Sequence, residues 1–99
     1  MSYSILLTGK KGEHEEIPIS TNNLFHDYWL PLFQEYQLQN LINIQYLHYI
    51  DNKELEKIIN EFEKIRPKIY NEIHKERIDF ILVSLKKIEF KNYDKISVG

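Results

Sequence analysis

Four histidines, His14, His26, His48 and His74, are the side chains best suited to acid–base chemistry or to holding a metal, because imidazole titrates near neutrality and offers a neutral nitrogen to a cation. They are scattered along the chain. His14 and Glu16 can share one face of a strand and His26 adjoins Asp27, yet each pair supplies two ligands where a metal centre takes three or four. No HExxH pattern occurs, and with no cysteine there is neither a thiolate zinc site nor a disulfide. A histidine–carboxylate site built from His14, His26 or His48 would have to be assembled from separate elements. The histidines are therefore read as structural or surface residues, with no metal and no cofactor.

Nucleophilic catalysis needs a hydroxyl or thiol activated by a base that a third group orients. Ser20 and Thr21 are explained as helix caps, Ser84 falls in a helix, and the remaining hydroxyls sit in strands or at the termini. The only glycine pair, Gly9-Lys10-Lys11-Gly12, lacks the length and the Lys-Ser/Thr ending of a phosphate-binding loop and does not lead into a helix. Fifteen acidic residues in 99 make paired carboxylates commonplace on any solvated face. The chain is read as having no catalytic residues and as not an enzyme.

The elements that would position any site follow from periodicity. Ser2 to Thr8 and Glu13 to Ser20 are extended runs on either side of the glycine–lysine turn, so they predict a β-hairpin, with Pro18 marking an edge strand or a strand end. Cap residues at Ser20, Thr21 and Asn22 start a helix near Asn22 that carries Phe25, Tyr28, Trp29, Leu32, Phe33 and Tyr36; Pro31 kinks or breaks it around Leu30. Residues 38–50 fit either a short helix followed by a strand or a continuous irregular stretch. Asp51 and Glu54 form a capping box for a helix with the stripe Leu55, Ile58, Ile59, Phe62 and Ile65.

Pro67 closes that helix or opens the next, which is expected from about Lys68 to Phe90 with Ile69, Ile73, Phe80, Ile81, Leu82, Leu85 and Ile88 buried. Ile96 and Val98 suit a short C-terminal strand. The expected fold is α+β: an N-terminal β-hairpin, which the C-terminal strand can join, packed against three to four helices. Residues 1–99 make one domain, because a chain this short builds a single core. No targeting segment or membrane span is expected, the longest apolar runs being a few residues where roughly 18 to 20 are needed. A reducing cytoplasm fits a chain of this size without cysteine.

Charge is unevenly distributed. Between Lys11 and Lys53 there is no Lys or Arg, although the chain has 13 of them. That window holds Glu13, Glu15, Glu16, Asp27, Glu35 and Asp51, and also Phe25, Tyr28, Trp29, Phe33, Tyr36, Tyr46 and Tyr49. Trp29 and Phe33 fall on the apolar helical stripe and are expected in the core. Tyrosine, with an apolar ring and a polar tip, suits a half-exposed surface. The candidate binding residues are Glu16, Asp27, Glu35, Tyr46, His48, Tyr49 and Asp51, because aromatic anchors ringed by charge of one sign combine affinity with steering. Nucleic acid is a poor partner for a net charge of −2, and the bases of the last helix interleave with acids.

The opening SYSILLT strand, the IPIST cap, the FHDYWLPL helix with its internal proline, the DNKELEKIINEFEKI helix and the closing ISVG tail resemble the layout of small bacterial immunity proteins of polymorphic and contact-dependent growth inhibition toxin systems. The resemblance implies a cytoplasmic protein that binds and neutralises one cognate toxin domain without catalysis. A basic nuclease domain would suit an acidic binding surface. The alternative expectation is a small nucleic-acid-associated regulator, an antitoxin or phage factor, that uses the lysine-rich last helix.

Overall fold

The structure, a computed structural model, describes residues 2–99. Strands β1 (Ser2–Gly9) and β2 (His14–Thr21) form the expected hairpin. Its turn closes through the N–H of Gly9 to the carbonyl of Glu13 at 2.7 Å and that of Gly12 to Gly9 at 3.0 Å. Gly12 has φ +87°, a left-handed conformation that glycine adopts without the Cβ clash other residues suffer. Pro18 lies inside β2, an edge strand, where its missing N–H costs no ladder bond. The register slips beside it: Tyr3 faces Ser20 and Ser4 faces Pro18, so Ile19 is an extra, bulged residue.

A continuous helical segment follows in three pieces: α1 (Asn22–Leu24), a π-helical turn (Phe25–Trp29) and α2 (Leu30–Glu35). Thr21 caps it, its hydroxyl accepting from the N–H of Leu24 at 3.3 Å. The predicted break at Leu30 is present, and its form is a widened turn. Pro31 cannot donate and crowds the carbonyl four residues back, so the chain swells until the N–H of Leu30 reaches the carbonyl of Phe25. A left-handed Gln37, φ 56°, closes α2, with the N–H of Leu38 bonded to the carbonyl of Phe33 and that of Gln37 to Gln34.

Of the two readings for residues 38–50, the helix followed by a strand is the one formed: α3 (Gln39–Ile42), a 3₁₀ turn (Asn43–Gln45) and β3 (His48–Ile50). Helix α4 (Asn52–Ile65) starts at Asp51, whose carboxylate accepts from the N–H of Glu54 at 2.8 Å. The return half of the capping box is diverted, because the Glu54 carboxylate meets His48. Leu55, Ile58, Phe62 and Ile65 are buried as expected, each burial being worth roughly 1.5–3 kcal/mol relative to exposure.

Helix α5 (Glu72–Lys86) is shorter than expected at both ends. Pro67 sits in a 3₁₀ turn (Arg66–Lys68), Ile69 plugs the core before the helix begins, and Asn71 caps it by accepting from the N–H groups of Ile73 and His74. Ile78, Ile81, Leu82 and Leu85 then face the core, which turns Ile73 and Phe80 outward, contrary to the expected buried face.

Strand β4 (Tyr93–Val98) pairs with β1 on one side and β3 on the other, giving a four-stranded antiparallel sheet of order β2-β1-β4-β3. The fold is the expected α+β arrangement, with four helical segments, and its C-terminal strand is an inner member of the sheet. Ile5, Leu7, Ile17, Ile19, Ile50, Ile96 and Val98 line one sheet face and join Phe25, Trp29, Phe33, Phe62 and the helical aliphatics in a single core. The opposite face carries the row Glu16, Leu6, Ser97 and Tyr49, read across all four strands.

Candidate protein interface

His14 is exposed on β2, and the other three histidines each have local partners. His26 Nε2 meets the Tyr3 hydroxyl at 3.0 Å, and that hydroxyl also donates to Asn22 at 2.9 Å. His74 stacks on Tyr28 with ring centroids 4.1 Å apart. His48 is the only one of the four against a carboxylate, Nε2 to Glu54 Oε2 at 2.6 Å, while Nδ1 meets the Tyr46 carbonyl at 2.6 Å. Partial burial works against the charged ring. The two bonds and the Glu54 charge outweigh it and raise the pKa above the ordinary histidine value. Both nitrogens face acceptors, so His48 has none free to take a proton from a bound substrate. Among the described residues no group of three or more His, Cys, Asp or Glu could hold a metal ion.

The candidate binding residues fall into separate groups. Tyr46, His48 and Glu54 border one depression with Asn40 and Asn43. Tyr49 lies on the other side of β3, on the open sheet face, in the cross-strand row that Glu16 begins. Glu16 accepts there from the Ser4 hydroxyl at 2.5 Å. Asp51 is exposed at the end of β3, where it caps α4. Asp27 and Glu35 are exposed on the π turn and α2, elements separate from β3.

A lysine-free stretch of sequence does not make a lysine-free surface. Insertion of β4 between β1 and β3 brings Lys95 over the Tyr49 ring, 5.4 Å from its centroid, and Lys68 sits 5.7 Å from that of Tyr36. The expected segregation of acid from base is therefore undone by the strand order. In the last helix, Lys75 pairs with Glu72 at 3.2 Å and Lys86 with Glu63 at 3.4 Å, while Arg66 grips Asp79 through two bonds.

The β3 region exposes several large apolar side chains. Leu47 is 77% exposed, Tyr49 68%, Tyr46 61% and Leu6 40%. Leu47 is a residue that the sequence reading missed; its place between Tyr46 and Tyr49 in the stretch that enters β3 was the available signal. A second exposed group lies on α5, where Ile73 (74% exposed) and Phe80 (46%) border a depression with Leu24, His74, Glu76 and Arg77. Its signal was also in the sequence, since Phe80, Ile81 and Leu82 are consecutive and one helix face cannot bury all three.

No helix among the described residues is long and apolar enough to cross a membrane. No protein-family model, curated protein or solved structure matches the chain.

Proposed function

We propose that this protein is a non-catalytic binding module that takes another protein against β3, and that it acts in the cytoplasm as an immunity protein neutralising a toxin domain. The observation that carries the binding role is the exposure of Tyr46 and Leu47, in the segment leading into β3, and of Tyr49 within that short edge strand. Contiguous exposed apolar groups rimmed by polar residues mark interaction sites, and tyrosine is among the side chains that dominate interface energetics. Asp51 at the strand's end supplies negative charge beside it, while the Glu54 carboxylate is bonded to His48. The toxin as partner rests on the resemblance in chain layout.

Co-expression tests the reading. Cells expressing the toxin domain encoded beside this chain's gene regain growth when the protein is present, and the double variant Tyr46→Ala/Tyr49→Ala fails to restore it at unchanged melting temperature. Equal rescue by the double variant, or a neighbouring product with no toxicity, contradicts it.

A further inference from the structure

The hydrogen-bond pattern of the sheet shows what the open side of β3 offers. Ser4 and Gly99 exchange both backbone bonds, Ser4 N–H to Gly99 at 3.3 Å and Gly99 N–H to Ser4 at 3.1 Å. Bonding direction alternates along an antiparallel strand, so Ser97 points its backbone groups at β1, while Ile96 and Val98 point theirs at β3. Opposite them, Ile50 and His48 answer β4. The N–H and C=O of Tyr49 therefore face away from the sheet, at its edge. Leu47, two residues earlier, makes no backbone hydrogen bond among the described residues.

The two edges of this sheet differ. Strand β2 is blunted by Pro18 and by the bulge at Ile19, devices that discourage pairing with another chain. Strand β3 has no proline, no bulge and no lysine, its length of 3 residues being the one such device it carries. Depressions also lie on both of its faces. One, of about 560 Å³, is bordered by Leu47, His48, Tyr49 and Ser97. The other, of about 330 Å³, is bordered by Asn40, Asn43, Tyr46, His48 and Glu54. Side chains of an added strand alternate between faces, so successive residues would enter successive depressions.

We infer that β3 is a strand-addition site, which binds an extended segment of another protein through the free backbone groups of Leu47 and Tyr49. The inference rests on the protein-binding reading and specifies how the partner is held. The segment alternates apolar side chains, against Leu47 and Tyr49, with arginine or lysine, toward the polar depression. Glu54 is the carboxylate of that depression, Glu61 lies directly behind Asn40, with Asn40 Nδ2 to Glu61 Oε2 at 2.5 Å, and Asp51 ends the strand. His48 is the one basic side chain facing them from β3, bonded to Glu54, and Lys95 lies over Tyr49 on the opposite face. Main-chain bonds supply affinity and the two depressions supply selectivity.

The test uses the full chain and a capped heptapeptide in which valine and arginine alternate. Its amide spectrum should shift saturably at residues 47–50, with slowed exchange at the N–H of Leu47 and Tyr49. The same peptide N-methylated at alternate residues keeps its side chains and loses its donors, and should bind at least about tenfold more weakly. Equal binding of the two peptides, shifts confined to α5, no binding of either, or self-association of the protein through β3 in sedimentation would each overturn the inference. Peptide failure with growth rescue intact removes strand addition alone. Peptide binding with failed rescue removes the toxin reading alone.

Discussion

His48 is held by the Tyr46 carbonyl and the Glu54 carboxylate, both of which want a proton from the ring. Its titration in NMR should lie above the ordinary value of 6.5, and Glu54→Gln should bring it down. A raised pKa favours the folded state while the ring is charged. That contribution is complete below about pH 6.5 and disappears as pH rises through the raised value, so melting temperature should fall across this window in the wild type and not in His48→Gln. Trp29 makes the opposite case. Its indole Nε1 is buried with no partner, so Trp29→Phe removes packing and an unsatisfied donor together. Denaturant unfolding should show a loss of about 1 kcal/mol or less, against about 3–5 kcal/mol for Phe62→Ala. Burial of Trp29 and Phe33 was legible from helical spacing, because apolar periodicity reports which face is wet. The pairing of His48 with Glu54 was not, since it depends on where β3 ends relative to the first turn of α4.

At the scale of elements, local chemistry announced itself wherever one residue decides the outcome. Pro31 marked the break, Asp51 the start of α4, and Pro18 an edge strand. Gln37 shows a cost the chain bears: a residue with a Cβ in the left-handed region, closing α2. Left-handed geometry costs such a residue roughly 1–2 kcal/mol and glycine's extra chain entropy offsets part of that, so Gln37→Gly should stabilise by about 0.5–1 kcal/mol in chemical denaturation. Helix α5 was the element least legible. Its apolar residues point to both sides, and only the Asn71 cap and the anchoring of Ile69 fix which side is buried. Gly99 is the other hidden determinant. At φ +139°, a Cβ there would stand 2.7 Å from the Leu47 backbone, so Gly99→Ala should displace Leu47 and shift its amide resonances while the core stays intact.

Across the whole molecule, β4 decides the architecture. A tail that reads as an optional extra strand lies between the hairpin and β3, carrying Ile96 and Val98 into the core with no exposure. Removing residues 93–99 should abolish cooperative unfolding, seen as loss of the thermal transition, because β1 and β3 then have no common neighbour. The same insertion brings Lys95 to Tyr49, which no count of charges along the chain could show. Strand order is set by which apolar faces meet, and a single sequence records the faces without recording their neighbours. Partner binding is proposed at the β3 edge and not at the exposed apolar group of α5. Calorimetric titration of the proposed partner, the purified toxin domain encoded beside this chain's gene, against two double variants separates these surfaces. Tyr46→Ala/Tyr49→Ala should weaken binding by about 30-fold or more, and Ile73→Ser/Phe80→Ser should leave it within about threefold of wild type. Affinity that survives the first pair and collapses with the second would contradict it.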